Sequence, residues 1–502
     1  MNLDKLAIRL FAHRLKKNAQ YSQIPDVIQE EQLQSLLSRA RHTVYGQMYD
    51  FASIRTYSGF SGRLPLQSYE DAKPFIERMM KGEKNVLWRG KVDWFAKSSG
   101  TTDDKSKFLP VSRDAMRECH YRGGMDTVAN YLNINPDSRL FSGKGLILGG
   151  SSAPFSCNEN IKIGDLSAVL IENINPIANF FRTPYKKIIL MDEWITKLDA
   201  IYKHTLHQHI TSLSGVPSWM LVLIKKILKQ SGKQYLTDVW PDLEVFFHGG
   251  VSFTPYREQY KALIPSGRMH YMETYNASEG FFSIQNDWND PAMLLLLDYG
   301  IFYEFIPVEE IDSGNPPICR LQDVELHRNY AVVISTSSGL WRYKIGDTLK
   351  FTSKSPYKII ITGRTKHFIN VFGEELIVDN AEKALDAACR TTGAKVREYT
   401  VAPVYMSSDT KGKHQWLIEF DHAPDDLTLF TRTLDDSLKK HNSDYEAKRY
   451  KDMTLELPEL ILARHNLFYD WLEEKGKLGG QHKVPRLSNT REYMEQLLKE
   501  NF

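Results

Sequence analysis

Residues 98–107 read Ser98-Ser99-Gly100-Thr101-Thr102-Asp103-Asp104-Lys105-Ser106-Lys107. Two hydroxyl residues, a glycine and two more hydroxyls make a short, donor-rich loop. Its backbone N–H groups and hydroxyls can wrap a polyphosphate, because Gly100 has no Cβ to block close approach. Lys105 and Lys107 add positive charge just beyond it. The same composition also suits a solvated linker, so the decision rests on what lies downstream. The stretch is not a Walker-type loop, which needs a second glycine followed directly by Lys-Ser or Lys-Thr.

Three further polar stretches follow in order. Tyr275-Asn276-Ala277-Ser278-Glu279-Gly280 succeeds a strand-like run, Met269 to Thr274. An aromatic ring, small polar groups and a carboxylate at a strand end can stack a base, line a sugar and hold Mg²⁺ through oxygen. Trp341-Arg342-Tyr343-Lys344-Ile345-Gly346-Asp347 places a carboxylate after a glycine turn, where it can accept from both hydroxyls of a ribose. Gly363-Arg364-Thr365-Lys366 follows the apolar run Ile359-Ile360-Ile361. Singly, these also read as a strand end, a hairpin turn and a surface loop.

Together, in this order, the four stretches resemble the adenylate-forming superfamily of acyl-CoA ligases, luciferases and peptide-synthetase adenylation domains. They are most similar to the auxin-responsive-promoter family of acyl-acid amido synthetases. Glu304-Phe305-Ile306-Pro307, Gly339-Leu340-Trp341-Arg342-Tyr343, Asn442-Ser443-Asp444-Tyr445 with Lys448-Arg449, and Lys483-Val484-Pro485-Arg486 carry the closer likeness. It spans roughly residues 90–490. One departure is the acidic pair Asp103-Asp104, where a phosphate loop more often carries glycine.

The resemblance implies an α/β protein. A large N-terminal domain with mixed β-sheets and helices (1–365) would bind ATP and the acyl substrate. A small, mobile α+β C-terminal domain (366–502) would follow, with Lys366 at the hinge. It also implies a reaction in which a carboxylate attacks the α-phosphate of ATP, forms an acyl adenylate and then loses AMP to an amino acid amine. The β- and γ-phosphates would meet Ser98, Ser99, Gly100, Thr101, Thr102 and Lys107. Glu279 would hold Mg²⁺, and adenine would lie between Gly249-Gly250 and Tyr275, with Asn276, Ala277 and Ser278 beside it. Asp347 and Arg364 would hold the ribose, and Lys483 would reach the carboxylate and α-phosphate. Tyr121, Arg122 and His248 are expected at the acyl group. A thioester-forming acyl-CoA ligase and a non-catalytic nucleotide-binding protein are the alternatives.

Composition agrees with a soluble enzyme of this kind. A chain of 502 residues is long for one core, and 42% hydrophobic with 25% charged residues is ordinary for a globular protein. A net charge of +2 gives no support for a nucleic-acid partner. Four scattered cysteines contain no Cys-x-x-Cys pair, which points to free thiols in a reducing compartment. Charges interrupt the apolar residues of Met1 to Lys17, unlike a signal peptide, and no apolar run is long enough to span a bilayer. Cytoplasmic residence, small-molecule substrates and no membrane partner are the expectation. His204, His207 and His209 are expected on the polar face of one helix rather than on a metal.

Helices are expected over 28–45, 111–132, 218–230, 378–389, 425–440 and 490–500. Strands are expected at 145–152, 243–250, 301–306, 331–336 and 357–362, with a hairpin pairing 396–405 and 414–421. Residues 187–191 read as strand or helix start.

Overall fold

Two paired strands flank the 98–107 stretch. Trp94–Ser98 (β1) and Lys107–Val111 (β2) pair antiparallel, with Ser98 opposite Lys107. The structure is a computed structural model. It describes residues 3–98, 107–150, 152–154, 161–191, 193–251, 253, 256–311, 313–365, 368–374, 376–406, 411–450, 454–474 and 485–501. Ser99, Gly100, Thr101, Thr102, Lys366 and Lys483 lie outside the described residues. The hairpin still establishes where the loop leaves and re-enters the body.

Among the described residues thirteen more strands follow before residue 365. They are Lys144–Ile147 (β3), Ser152–Pro154 (β4), Lys162–Gly164 (β5), Arg182–Thr183 (β6), Ile210–Gly215 (β7), Val245–His248 (β8) and His270–Ala277 (β9). Then come Gly280–Gln285 (β10), Met293–Leu295 (β11), Ile301–Pro307 (β12), Asn329–Thr336 (β13), Tyr343–Lys354 (β14) and Tyr357–Arg364 (β15). A small sheet has the order β2-β1-β5-β4, and an eleven-stranded sheet has the order β12-β13-β14-β15-β11-β10-β9-β8-β7-β3-β6. In the large sheet β6, β3, β7, β8 and β9 run parallel. Every pairing from β9 out to β12 is antiparallel. Parallel strands are covered on both faces, and Leu146, Leu213, Val245, Phe246 and Met272 are accordingly buried.

The expected helix over 111–132 appears in three pieces. Arg113–Ala115 is α-helical, Met116–His120 is one π-turn, and Tyr121–Ile134 is α-helical. Ser112 caps it, accepting from the Ala115 N–H at 2.9 Å and donating to the Ser337 carbonyl at 2.6 Å. Gly123 lets this helix lie against β10, since a Cβ there would sit 2.4 Å from the Phe281 ring.

Two expectations are corrected. The helix expected over 28–45 stops at Ala40, and a separate helix runs Val44–Met48. Thr43 caps the second, accepting from Gly46 N–H at 2.9 Å, and only glycine fits there because a Cβ would meet the Ala40 carbonyl oxygen at 2.1 Å. His204, His207 and His209 do not share a helix, because Trp194–Thr205 ends before His207 and the chain extends into β7 at Ile210. His204 lies against the Tyr185 ring and His209 bonds Asp242 at 2.9 Å. Residues 187–191 resolve as a short helix, Lys186–Ile189.

Beyond 365, Phe368–Ile369 (β16) pairs with Leu376–Ile377 (β17). Lys395–Val404 (β18), Lys413–His422 (β19) and Glu459–Leu462 (β20) form a second sheet. Alternate residues of β19 serve opposite faces. Trp416 and Ile418 pack with Ala381, Leu385, Phe430 and Leu434 of the helices Val378–Thr392 and Leu427–His441. Leu417 packs with Phe468, Trp471, Met494 and Leu497 on the other side. The first of these cores continues into Met220, Phe253, Tyr256 and Tyr260 of the large body. Tyr256 donates to the Val371 carbonyl, Gln259 donates to the Met406 carbonyl, and Lys448 Nζ sits 3.8 Å from the Trp219 ring centre. Among the described residues no helix is long and apolar enough to cross a membrane.

Candidate active site

In open α/β sheets ligands gather at the carboxyl ends of parallel strands. Here that edge carries His248 at the end of β8, Gly249-Gly250 just after it, and Tyr275-Asn276-Ala277 at the end of β9. Because β8 and β9 are neighbours, the glycine pair and Tyr275 stand one strand apart. Gly249 is required by close approach, since a Cβ would lie 2.3 Å from the Thr274 carbonyl oxygen. Gly250 has φ +85°, the left-handed region that favours glycine.

The β9–β10 hairpin turns on two residues, Ser278 and Glu279, since Ala277 pairs with Gly280. Glu279 is therefore presented at the hairpin tip. Burial pushes its carboxyl up to about 7, Lys107 pulls it down, and Asp347 raises it further. Lys107 comes from the base of the 98–107 hairpin, and its ammonium also lies 5.8 Å from the Tyr69 ring centre. The first residue of β2, Lys107, thus stands close to Glu279.

Asp347 and Arg364 face each other across β14 and β15. Arg364 Nε donates to Asp347 Oδ1 at 2.7 Å, and the Tyr275 hydroxyl donates to Oδ2 at 2.5 Å. A carboxylate offers about four acceptor sites, so these two bonds do not exhaust it. Asp347 is held in place from two directions, by a strand neighbour and by a residue 72 positions away in the chain.

Of the residues expected at the acyl group, His248 is buried and stacks 4.2 Å from the Phe253 ring centre. Its Nδ1 has no hydrogen-bond partner among the described residues, and burial pushes its pKa down to about 3. Its cross-strand neighbour is Glu273, whose carboxyl burial pushes up to about 7 against Arg257. The Tyr121 hydroxyl donates to the Leu170 carbonyl at 2.8 Å, and Arg122 donates to the Asp298 carbonyl at 2.8 Å. These two side chains have their polar groups committed to the scaffold. The residue beside them, His120, bonds Asn276 Oδ1 through Nδ1 at 3.0 Å, and burial lowers its pKa to about 4.

Sequence reading missed His120, Tyr343 and Glu273. Tyr343 is buried close enough to Glu279 and Arg364 for both charges to act on its phenol, and its hydroxyl has no hydrogen-bond partner among the described residues. Its place directly before Lys344-Ile345-Gly346-Asp347 was the one signal available.

Domain models of one family match in sequence along the chain: the GH3 family N-terminal domain over residues 14–269, its central domain over 294–364 and its C-terminal domain over 379–492. The chain belongs to the GH3 family. One relative of this GH3 chain is the indole-3-acetic acid-amido synthetase GH3.4 of Arabidopsis thaliana. It is 24% identical, with 92% of this chain and 89% of that protein covered. The solved structure of the GH3.15 acyl acid amido synthetase covers 100% of the chain and 97% of its own length, at TM-score 0.61 and 16% identity. A 2-hydroxyisobutyryl-CoA ligase structure covers 95% and 91%, at TM-score 0.57 and 13% identity. The fold is that of the adenylate-forming enzymes.

Proposed function

We propose that this protein is an ATP-dependent ligase that activates a carboxylic acid as an acyl adenylate and transfers the acyl group to an amino acid amine. The observation that carries the reading is the meeting of Asp347, Tyr275 and Arg364 with Glu279 and Lys107 at the carboxyl edge of the parallel strands. Relatives named as indole-3-acetic acid-amido synthetases support it.

A free carboxylate is a poor acyl donor, because its leaving group would be oxide. Attack on the α-phosphate of ATP forms the mixed anhydride and expels pyrophosphate. Negative charge then has to be met by fixed donors. Ser98 and Lys107, with Ser99, Gly100, Thr101 and Thr102, are the residues we assign to the β- and γ-phosphates. Asp347 and Arg364 orient the ribose, while Tyr275, Gly249 and Gly250 flank the base with Asn276, Ala277 and Ser278 alongside. Glu279 fits a Mg²⁺ ligand. It is an oxygen donor whose ionised form is under-compensated in the free protein, and Mg²⁺ commonly takes one or two carboxylates with substrate phosphates and waters. Bound there, Mg²⁺ would offset the phosphate charge. We assign Lys483 to the carboxylate and α-phosphate, and Lys366 to a hinge about which residues 366–502 turn between half-reactions. His248, Tyr121 and Arg122 are assigned to the acyl side, Tyr121 and Arg122 through their ring and stem rather than their polar tips. The three free cysteines among the described residues suit a reducing cytoplasm.

ATP–pyrophosphate exchange across a carboxylic acid library tests the first half-reaction, and an acceptor screen of amino acids and coenzyme A tests the second. Exchange with amide formation is expected. Thioester as the sole product would select the acyl-CoA ligase alternative, and no exchange with any acid would select the non-catalytic one.

Ribose recognition gives a sharper result. Asp347→Ala is expected to weaken ATP binding by about 1.5–3 kcal/mol for each bond lost to the carboxylate. The unmutated protein should bind 2′-deoxy-ATP more weakly than ATP, and equal affinities in a titration would rule out this role.

A further inference from the structure

Three arginines are buried among the described residues: Arg182, Arg342 and Arg449. Arg342 is paired with Glu304 at 2.9 Å and Arg449 with Asp435 at 2.6 Å. Arg182, only 6% exposed, has no carboxylate partner among the described residues. Its Nε and Nη2 both donate to one oxygen, Asn179 Oδ1, at 2.8 and 2.6 Å. Its Nη1 is buried with no acceptor among the described residues. Burial lowers its pKa from the ordinary value, opposed by the nearby Tyr121 phenol. A buried guanidinium left without an anion is costly, so this site is complete only when an anion is present.

Position narrows the anion. Arg182 opens β6, the outermost strand of the parallel half, and Tyr121 beside it starts the helix that follows the 98–107 hairpin. β6 lies three strands from β8, about 14 Å across the sheet. That separation is too large for the reacting carboxyl, which must sit beside the α-phosphate. It suits another acidic group carried by an organic substrate.

We propose that Arg182 receives a substrate carboxylate: either a second acidic group on the acyl acid or the α-carboxylate of the acceptor amino acid. The proposal rests on the ligase reading above. Planar guanidinium recognises carboxylate better than ammonium does, so lysine should replace it only in part.

The test uses the full chain with Arg182→Met and Arg182→Lys. Without substrates, Arg182→Met is expected to melt no lower than wild type, because an unpaired buried charge has been removed. A midpoint several degrees lower with unchanged KM values would mark a purely structural arginine and overturn the proposal. In exchange assays without acceptor, a tenfold higher KM for a dicarboxylic acid in Arg182→Met, with kcat within twofold, places the acyl acid's second group there. The same rise confined to the amino acid in amide formation places the acceptor carboxylate there. Arg182→Lys should fall between, and unchanged KM for both substrates overturns the proposal. Should Arg182→Met fail to fold, the KM values of Arg182→Lys decide in the same way. Should wild type support no exchange, the ligase reading fails and the site is read by melting alone. Glutarate or glycine, compared with sodium chloride at equal ionic strength, would then raise the wild-type midpoint and not that of Arg182→Met. No difference overturns the site too.

Discussion

Glu279→Gln is expected to slow pyrophosphate exchange by about a thousandfold, equivalent to about 4 kcal/mol of transition-state stabilisation, while the free protein becomes more stable at alkaline pH. Both effects have one cause. The carboxylate stands half-buried at a hairpin tip, with its pKa raised to about 7. Ionised, it attracts a cation; without one, it is a burden on the fold. The sign follows from linkage. A carboxyl raised in the folded state contributes stability that is fully present below its ordinary value near 4.5 and is lost as pH rises through about 7. The glutamine variant has nothing to lose over that window. The midpoint difference between variant and wild type should therefore open between pH 5 and 7 and stay level above. Melting curves at pH 5, 7 and 8, without metal or nucleotide, read it directly. Exchange at near wild-type rate in a folded Glu279→Gln protein would move the metal role elsewhere.

Arg342→Ala should be among the most destabilising single changes in the chain. Arg342 Nε and Nη2 bond the two oxygens of Glu304 at 3.0 and 2.9 Å, and Nη1 bonds the carbonyls of Ser61 and Leu64 at 3.0 and 2.6 Å. Glu304 is fully buried and also accepts from the Tyr57 hydroxyl at 2.8 Å. Removing the arginine strands a carboxylate between β12 and the helix Tyr57–Arg63. Breaking a buried pair from one side costs about 3–5 kcal/mol, visible as a lower urea midpoint. Replacing both partners by apolar residues of similar size should recover most of it, because no charge is then left buried. A single variant as stable as wild type would contradict the pairing.

That ion pair also shows how much a sequence can reveal. Glu304 and Arg342 both sit in phrases that carried the family likeness, yet here they hold the scaffold together. Asn442 and Arg449 behave the same way. Asn442 caps the helix Ser443–Arg449, accepting from Tyr445 N–H at 2.7 Å, and Arg449 holds Asp435. Family phrases identify a fold reliably, because scaffold and site are inherited together, but they do not sort one from the other.

The candidate site residues were legible locally. A glycine before Asp347, small polar residues before Glu279 and the hydroxyl-rich stretch 98–107 are short-range features of the sequence. The longer periodic elements, such as β12, β13, β18, β19 and the helix Leu427–His441, were legible for the same reason, whereas short strands such as β5, β6 and β11 and the helix Tyr69–Met80 were not. Facing was not legible where the period breaks. The π-turn at Met116–His120 shifts the phase of the helix after it, so that His120, rather than Tyr121 or Arg122, meets Asn276. A 3.6-residue pattern does not register one wide turn. Long-range packing decided the rest. The hydroxyl of Tyr275 reaches Asp347, Lys107 comes alongside Glu279, and Arg182 is buried without a counter-ion among the described residues. The sequence by itself determined which groups were available. Only the tertiary structure decided their charge state and their neighbours, because desolvation and Coulomb attraction depend on distance in space rather than along the chain.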